Sequence, residues 1–171
     1  MLTAAAVAAV QTSERSVNNM AVEFTAVAEQ IVSANNNVLF TEDVITCKKG
    51  YVDHRRGSGL VELRGITNQC RARYAVTYSG NIAVADTTEG GVVGEVAVAL
   101  SLNGEPISSS VRRYTAVAVE QYGAVSATEI IDVARGTEVT VAIKNVSEGT
   151  ATTPASAIQT ENFSIIIERI A

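Results

Sequence analysis

The amino-acid sequence predicts an all-β domain with the architecture of a sandwich or jelly roll. The main observation is a period of two from Cys70 to Ala85, where apolar residues alternate with Arg, Thr, Ser and Asn. Successive side chains of a strand point to opposite faces of a sheet, so this pattern is typical of a strand with one buried face. About nine or ten strand-like segments follow one another, with turn signals every ~8 to 12 residues and no helical stretch between them.

The first half of the chain contains a hairpin and then the long central strand. Residues 21–28 alternate and predict the first strand, while the asparagines at 35–37 predict a turn. Residues 51–54 and 60–65 predict two short strands across a glycine-rich turn. The remaining short apolar pieces are Gln30–Val32, Val38–Phe40 and Val44–Ile45, and the inward set of the central strand is Cys70, Ala72, Tyr74, Val76, Tyr78, Ile82 and Val84.

The second half alternates again after a polar loop at 86–91. Residues 96–102 predict a strand, and Asn103-Gly104 predicts a tight hairpin turn because both residues accept positive φ. Residues 111–122 predict a strand covered on both sides. The later elements are Ile130–Val133, a turn at Arg135-Gly136, an inward set of Val139, Val141 and Ile143, a loop at 147–156, and a terminal strand at 162–171 in the middle of a sheet or at a subunit contact.

The composition predicts one domain with a core of small, β-branched residues. The chain has 171 residues, of which 47% are hydrophobic but only 5% aromatic, and it has no Trp. Such a core buries less area per residue than an aromatic core, at roughly 25 cal/mol per Å². This favours an oligomer whose interface contributes further burial.

The charge argues against a nucleic-acid partner. The net charge is −5, whereas nucleic-acid binders usually carry a basic stripe that neutralises phosphates. The pairs Arg55-Arg56 and Arg71/Arg73 are local exceptions. We expect them on a solvated or subunit-facing surface, paired with acids.

Two cysteines, Cys47 and Cys70, are too few for a disulfide scaffold. They could bridge neighbouring strands, but we expect buried free thiols in a protein made in a reducing cytoplasm. No run approaches the ~20 apolar residues of a membrane span, and the apolar start lacks the basic residues of a signal peptide. Residues 1–20 are either an N-terminal arm that docks on a neighbour or a frayed terminus, and residues 21–171 form the domain.

The order of these segments resembles the C1q/TNF-like jelly roll, in particular its compact microbial and phage versions. The resemblance covers residues 21–171 and leaves the N-terminal arm unexplained. It rests on Asn37–Phe40, His54–Gly59 with Leu60–Gly65, Cys70–Tyr74, Leu102–Pro106 and the terminal Phe163–Ala171 strand.

The resemblance implies a homotrimer in which three jelly rolls pack around a threefold axis. Small phage-encoded members look like capsid decoration, head-fibre or tail-associated proteins. This chain departs from collagen-tailed members because it has no Gly-X-Y repeat, and from secreted members because it has no export signal.

His54 is the single histidine and therefore the first residue to test for catalysis. Ser58 and Asp53 are close in sequence, but a triad needs a positioned nucleophile, and no nucleophile-elbow motif surrounds them. Ser58 lies between Gly57 and Gly59, which is typical of a turn, and the lysine of a phosphate-binding loop does not follow. We therefore predict no catalytic residue, no cofactor and no enzyme activity.

Metal and modification signals are equally weak. The spacing of Cys47, His54 and Cys70 matches no zinc pattern. The acids Asp86, Glu89 and Glu95 lack the dense alternation of a calcium loop, and Gly90-Gly91 offers only flexibility. The glycosylation patterns at Asn145 and Asn162 matter only in a secreted protein.

The functional hypothesis is a structural virion protein on the surface of a phage particle, made in the host cytoplasm. It would be a trimeric capsid decoration or fibre-knob subunit that contacts a major capsid or other virion protein through the N-terminal arm. The alternative is an adhesin whose loops at 86–91 and 147–156 bind a surface glycan. The few aromatic residues count against the alternative, because sugar sites generally stack a Trp or Tyr on the ring.

Overall fold

The computed structural model describes residues 21–46, 50–85, 94–117, 121–149 and 155–171, and these form two antiparallel sheets. The all-β prediction is confirmed: the described helical structure is a single 3₁₀ turn, Ser108–Ser110, and no helix in these ranges is long and apolar enough to cross a membrane. The strands are β1 (Ala21–Ala26), β2 (Gln30–Val32), β3 (Glu42–Ile45), β4 (Val52–His54), β5 (Val61–Arg64), β6 (Arg71–Val84), β7 (Glu95–Leu102), β8 (Glu105–Pro106), β9 (Arg112–Thr115), β10 (Gly123–Ala134), β11 (Glu138–Asn145) and β12 (Ile158–Arg169).

The first sheet has the strand order β10-β6-β12-β1-β3, with β2 also pairing with β12. β10 lies along β6 from Gly123 opposite Ile82 to Ala134 opposite Arg71. The terminal strand β12 lies between β6 and β1. This confirms that the last strand sits in the middle of a sheet, although it begins at Ile158 rather than at residue 162.

The second sheet has the order β4-β5-β11-β7-β8, with β9 also pairing with β7. The hairpin that the sequence predicts at 51–54 and 60–65 is confirmed as β4 and β5, with Asp53 opposite Glu62. The Asn103-Gly104 turn is also confirmed: both residues have positive φ, 51° and 88°, and they join β7 to β8.

The core lies between the two sheets and follows the alternation of β6. Ala72, Tyr74, Val76 and Tyr78 are all buried. The two tyrosine hydroxyls stay hydrogen-bonded: Tyr74 donates to the Arg64 carbonyl at 2.6 Å and Tyr78 to the Ser110 carbonyl at 2.6 Å. Buried polar groups need such partners. Burial raises the pKa of Tyr78 to about 12, because the phenolate would lose its hydration.

Cys70 is exposed and free, so the prediction of a buried thiol at this position is wrong. The strand begins one residue later, at Arg71. Cys70 instead belongs to the end of the sandwich, where its carbonyl accepts a hydrogen bond from the Arg135 amide at 3.0 Å. Cys47 lies outside the described residues.

The predicted strand at 111–122, covered on both faces, is also wrong. Only Arg112–Thr115 is a strand, and both of its arginines are exposed. It pairs with β7 alone, so it is a short edge strand. Val117 is 76% exposed, and residues 118–120 lie outside the described ranges. The long strand in this region is β10, of which the sequence indicated only residues 130–133.

A β-bulge interrupts β12 and explains a glycine in the long strand. The pairing with β6 shifts between Glu161 and Ser164, and Asn162 has a φ of 50°. The bulge places the ring of Phe163 over Gly80, where an added Cβ would lie 2.3 Å from the ring. Glycine at position 80 therefore makes room for a core phenylalanine.

Candidate functional site

His54 lies in the seam between the two sheets. It ends β4, at the edge of the second sheet, and its side chain is 0% exposed. Nδ1 lies 2.7 Å from a carboxylate oxygen of Asp43, which belongs to β3 at the edge of the first sheet. Nε2 lies 3.1 Å from the main-chain carbonyl oxygen of Ser58. The imidazole also packs on Phe24, with ring centroids 4.4 Å apart.

This arrangement does not provide a nucleophile. The Ser58 hydroxyl accepts a hydrogen bond from the Leu60 amide at 3.0 Å, and only its carbonyl meets the histidine. Asp53 is exposed and pairs with Arg64 at 3.4 Å instead of His54. Because both ring nitrogens already face acceptors, His54 has no free position at which to remove a proton from a hydroxyl.

Sequence reasoning did not identify Asp43 as the partner of His54. The two residues are 11 positions apart and belong to different sheets. In β3 Asp43 is half-buried while Glu42, Val44 and Ile45 are exposed, and no alternation in the sequence marks this difference. Periodicity alone did not show which strand edge would meet the histidine.

The other sequence candidates do not assemble into a site. Within the described ranges, no group of three His, Cys, Asp or Glu residues could hold a metal ion. Glu95 pairs with Arg113, whereas Cys47, Asp86, Glu89 and the Gly90-Gly91 pair lie outside those ranges. Asn145 is fully buried, and its amide donates to the carbonyls of Val32 at 2.9 Å and Ser156 at 3.1 Å. The amide of Asn145 is therefore already used in hydrogen bonds within the fold.

The outward face of the first sheet has an uncharged centre on β10, β6 and β12, and we call this area the hydroxyl face. Its rows follow from the strand registers: Ile130 and Ala75, followed by Glu168; Thr128, Thr77 and Ile166, followed by Glu23; Ser126, Ser79, Ser164 and Thr25. Glu168 and Glu23 therefore lie at its border. The hydroxyls pair with one another, Thr77 with Thr128 at 2.8 Å and Ser79 with Ser164 at 3.1 Å. Ile130 is 55% exposed at its edge.

Charged and polar side chains border the hydroxyl face at its two ends. At one end Arg73 pairs with Asp132 at 2.9 Å, as expected for this arginine, and Arg71 is exposed. At the other end the Tyr122 hydroxyl donates to Glu29 at 3.2 Å. Burial, and then the charge of Glu29, raises the pKa of Tyr122 to about 12.

The outward face of the second sheet is charged. Arg64 bonds to Glu62 and pairs with Asp53, and hydrogen bonding to Glu62 raises the pKa of Arg64 further. Lys144 lies beside Ala99 and donates to the Gly104 carbonyl at 3.1 Å. Its aliphatic stem therefore runs along the outward face of β7 towards the Asn103-Gly104 turn.

An open groove of about 420 Å³ runs beside β2. The amide of Gln30 crosses it and makes two hydrogen bonds to the backbone of Leu39, at 2.9 and 3.0 Å. The lining is neutral and consists of Gln30, Ile31, Val32, Ser33, Asn35, Asn36, Asn37, Leu39 and Gly59.

No protein-family model matches this sequence, and no curated protein matches it. Solved structures do match. The globular domain of zebrafish complement 1qA is 9% identical with a TM-score of 0.53, over 88% of this chain and 96% of that one. The Eiger TNF of S. frugiperda is 10% identical with a TM-score of 0.57, over 90% and 93%. Murine APRIL is 9% identical with a TM-score of 0.51, over 89% and 99%.

These structures and the two antiparallel sheets define the class of the fold: the chain is a C1q/TNF-like jelly roll. The fold expected from the sequence resemblance is therefore confirmed. At 9–10% identity the likeness concerns the fold alone.

Proposed function

We propose that this protein is a homotrimeric, non-catalytic surface subunit of a bacteriophage particle, and that its subunits meet through the hydroxyl face. The observation that carries the proposal is the contrast between this face and the rest of the surface. The hydroxyl face combines small side chains, paired hydroxyls and two isoleucines at its centre, and its charged groups, Glu168 and Glu23, lie at its border.

Burying the hydroxyl face against a second copy costs little. A hydroxyl that is buried without a partner is unfavourable, but Thr77, Thr128, Ser79 and Ser164 already bond to one another within the sheet. Burial of Ile130 contributes apolar area. The second sheet offers the opposite surface, because Arg64, Glu62 and Arg113 would lose their hydration on contact.

The dimensions suit an interface with a neutral core and a charged rim. Three strands at ~4.8 Å spacing and five residues at ~3.4 Å give a core of roughly 240 Å², with Glu168 at one corner. A stable interface buries about 800 Å² on each partner, so the surrounding residues must contribute the rest. Arg71, Asp132 and Glu168 border the core and are exposed, as the rim of an interface should be.

The placement on a phage particle is supported by the sequence resemblance to small phage-encoded members and by the absence of a catalytic arrangement among the described residues. Residues 1–20 remain the candidate attachment to another virion protein. A decoration subunit needs a stable head and a docking segment, and it needs no chemistry.

Two measurements test the two halves of the proposal separately. Mass spectrometry of purified particles, together with low-resolution imaging, is expected to find the protein on the particle surface; a protein absent from washed particles overturns the virion assignment. Native mass spectrometry of the full chain is expected to give three times the 17.9 kDa chain mass. A native mass equal to that of a single chain overturns the trimer.

A further inference from the structure

We propose that His54 and Asp43 form a proton-dependent clasp between the edges of the two sheets, in which His54 is held as an imidazolium. The clasp joins β4 of the second sheet to β3 of the first sheet. Loss of the proton would break one of its two hydrogen bonds and loosen this seam.

The charge state follows from the two acceptors. The Ser58 carbonyl oxygen can only accept, so Nε2 at 3.1 Å must carry a hydrogen. The Asp43 carboxylate oxygen at 2.7 Å also accepts, so Nδ1 must carry one as well. A neutral imidazole has a single N–H and would leave a lone pair facing an oxygen. Only the doubly protonated ring satisfies both contacts while Asp43 remains ionised.

The surroundings favour the charged pair over an isolated buried charge. His54 is fully buried, which by itself opposes the imidazolium, but the opposite charge of Asp43 is in hydrogen-bond contact and its side chain is 25% exposed. The ring of Phe24, 4.4 Å away, offers a further contact for a cation.

Asp43 is the only titratable partner that the described residues place against the imidazole. On β1 the packed group is Phe24, whereas Glu23 points to the other face of its sheet. On β5 the residue opposite His54 is Val61. The other nearby charges are exposed or lie outside the described ranges: Glu42, Asp53, Arg55 and Arg56 are exposed, and Lys48 and Lys49 are not described.

The sign of the pH dependence follows from proton binding. A histidine in the unfolded chain loses its proton near pH 6.5, about half a unit below neutrality. A clasp whose two acceptors require both ring hydrogens binds more protons than the unfolded chain near pH 7, so its stabilising contribution falls as the pH rises. The first structure to loosen should be the seam, where the Phe40 amide bonds to the Ser58 carbonyl at 3.0 Å and the Gly57 amide to the Phe40 carbonyl at 2.7 Å.

Nitrogen-15 NMR of the full chain tests the charge state directly. His54 is the single histidine, so its ring signals need no assignment. At pH 7 both ring nitrogens are expected to show protonated shifts. A spectrum with one protonated and one unprotonated ring nitrogen at pH 7 overturns the proposal.

Two variants separate the clasp from general effects of charge. Asp43→Asn should convert His54 to a neutral tautomer at pH 7, whereas Asp53→Asn, the matched control on the adjacent residue, should leave both nitrogens protonated. Protection factors for the Phe40 and Gly57 amides, corrected for intrinsic exchange, should fall at least tenfold between pH 6 and pH 9 in the wild type. Equal protection at both pH values overturns the loosening, and the wild-type measurements stand even where Asp43→Asn does not fold.

Discussion

The two outward faces of the sandwich differ in whether their centre carries charged side chains, and this difference decides how readily each face can be buried. On the first sheet, the centre of the face holds paired hydroxyls and aliphatic side chains. On the second sheet, Arg64 and Arg113 form ion pairs with Glu62 and Glu95 over buried small residues. The two inward faces contribute to one core of apolar residues.

Under the proposed function, the difference means that an all-β sequence encodes its assembly surface without a conspicuous apolar patch. Small and hydroxyl-bearing residues satisfy each other across strands and leave little hydration to lose. Charged pairs keep the opposite face hydrated. This contrast is the basis for proposing the first sheet as the side for contact with another copy and the second sheet as the side for solvent.

The largest expected effect comes from placing a charge on the hydroxyl face. Ile130→Arg adds a guanidinium to a residue that is exposed in the single chain, so the fold should persist. An unpaired buried charge costs several kcal/mol, which is enough to dissociate a trimer. The native mass should fall from three chain masses to one.

Thr115→Arg is the matched control on the second sheet. Thr115 is exposed and lies at the end of β9, opposite Glu95. The trimer should survive this substitution. Dissociation by Thr115→Arg but not by Ile130→Arg would reverse the assignment of the two faces.

A glycine inside the first sheet can be compared with a glycine just before a strand of the second sheet, which serves as a control without packing contacts. Gly80→Ala in the first sheet would bring a Cβ within 2.3 Å of the Phe163 ring, which is buried and cannot move outward. We expect a loss of about 1–3 kcal/mol in the free energy of unfolding. Gly94→Ala, just before β7, meets no atom within 4 Å and should be nearly neutral. Denaturant titration measures both, and equal midpoints would contradict the packing described for the bulge.

The Tyr78 hydroxyl joins the inner face of the first sheet to the Ser110 carbonyl. Tyr78→Phe should cost about 1–2 kcal/mol at pH 7, because the carbonyl loses its donor.

Tyr78 also contributes to the pH dependence of the free energy of unfolding at alkaline pH. Its pKa is raised to about 12 from an unfolded value of about 10, so its contribution is complete below pH 10 and is lost as the pH rises towards 12. Between pH 8 and pH 11 the wild type should lose about 1 kcal/mol more than Tyr78→Phe. The free energies of unfolding are measured by chemical denaturation. Equal losses in the wild type and in Tyr78→Phe over this pH range would contradict the raised pKa.

The smallest effect is expected on the second sheet. Glu95→Gln removes the exposed ion pair with Arg113, and both side chains are about half exposed. Surface pairs contribute 0–1 kcal/mol, so the midpoint of unfolding should move by less than about 0.5 kcal/mol. A large, salt-sensitive shift would show that this charged face is more than a solvated surface.

The sequence predicts most of the fold because one-sided burial leaves a period of two. Tyr74, Val76 and Tyr78 are buried as expected, and the Asn103-Gly104 turn depends only on local backbone preference. The errors have particular causes. Residues 111–122 are apolar enough to resemble a buried strand, but after the 3₁₀ turn at 108–110 the strand is only Arg112–Thr115, and it lies at a sheet edge.

The candidate sites were harder to predict because they depend on pairing between distant strands. Asp43 and His54 meet only after two sheet edges close on each other. The hydroxyl face requires the registers of β10, β6, β12 and β1 together. Its serines and threonines look like ordinary solvated residues in the sequence, since periodicity shows that they face outward but not what they face.

The most direct test is the native mass of the full chain at micromolar concentration, measured for the wild type and for Ile130→Arg side by side. A wild-type trimer that becomes a folded monomer on this single substitution is the expected result. A monomeric wild type, or a trimer that is indifferent to the arginine, would contradict the role given to the hydroxyl face.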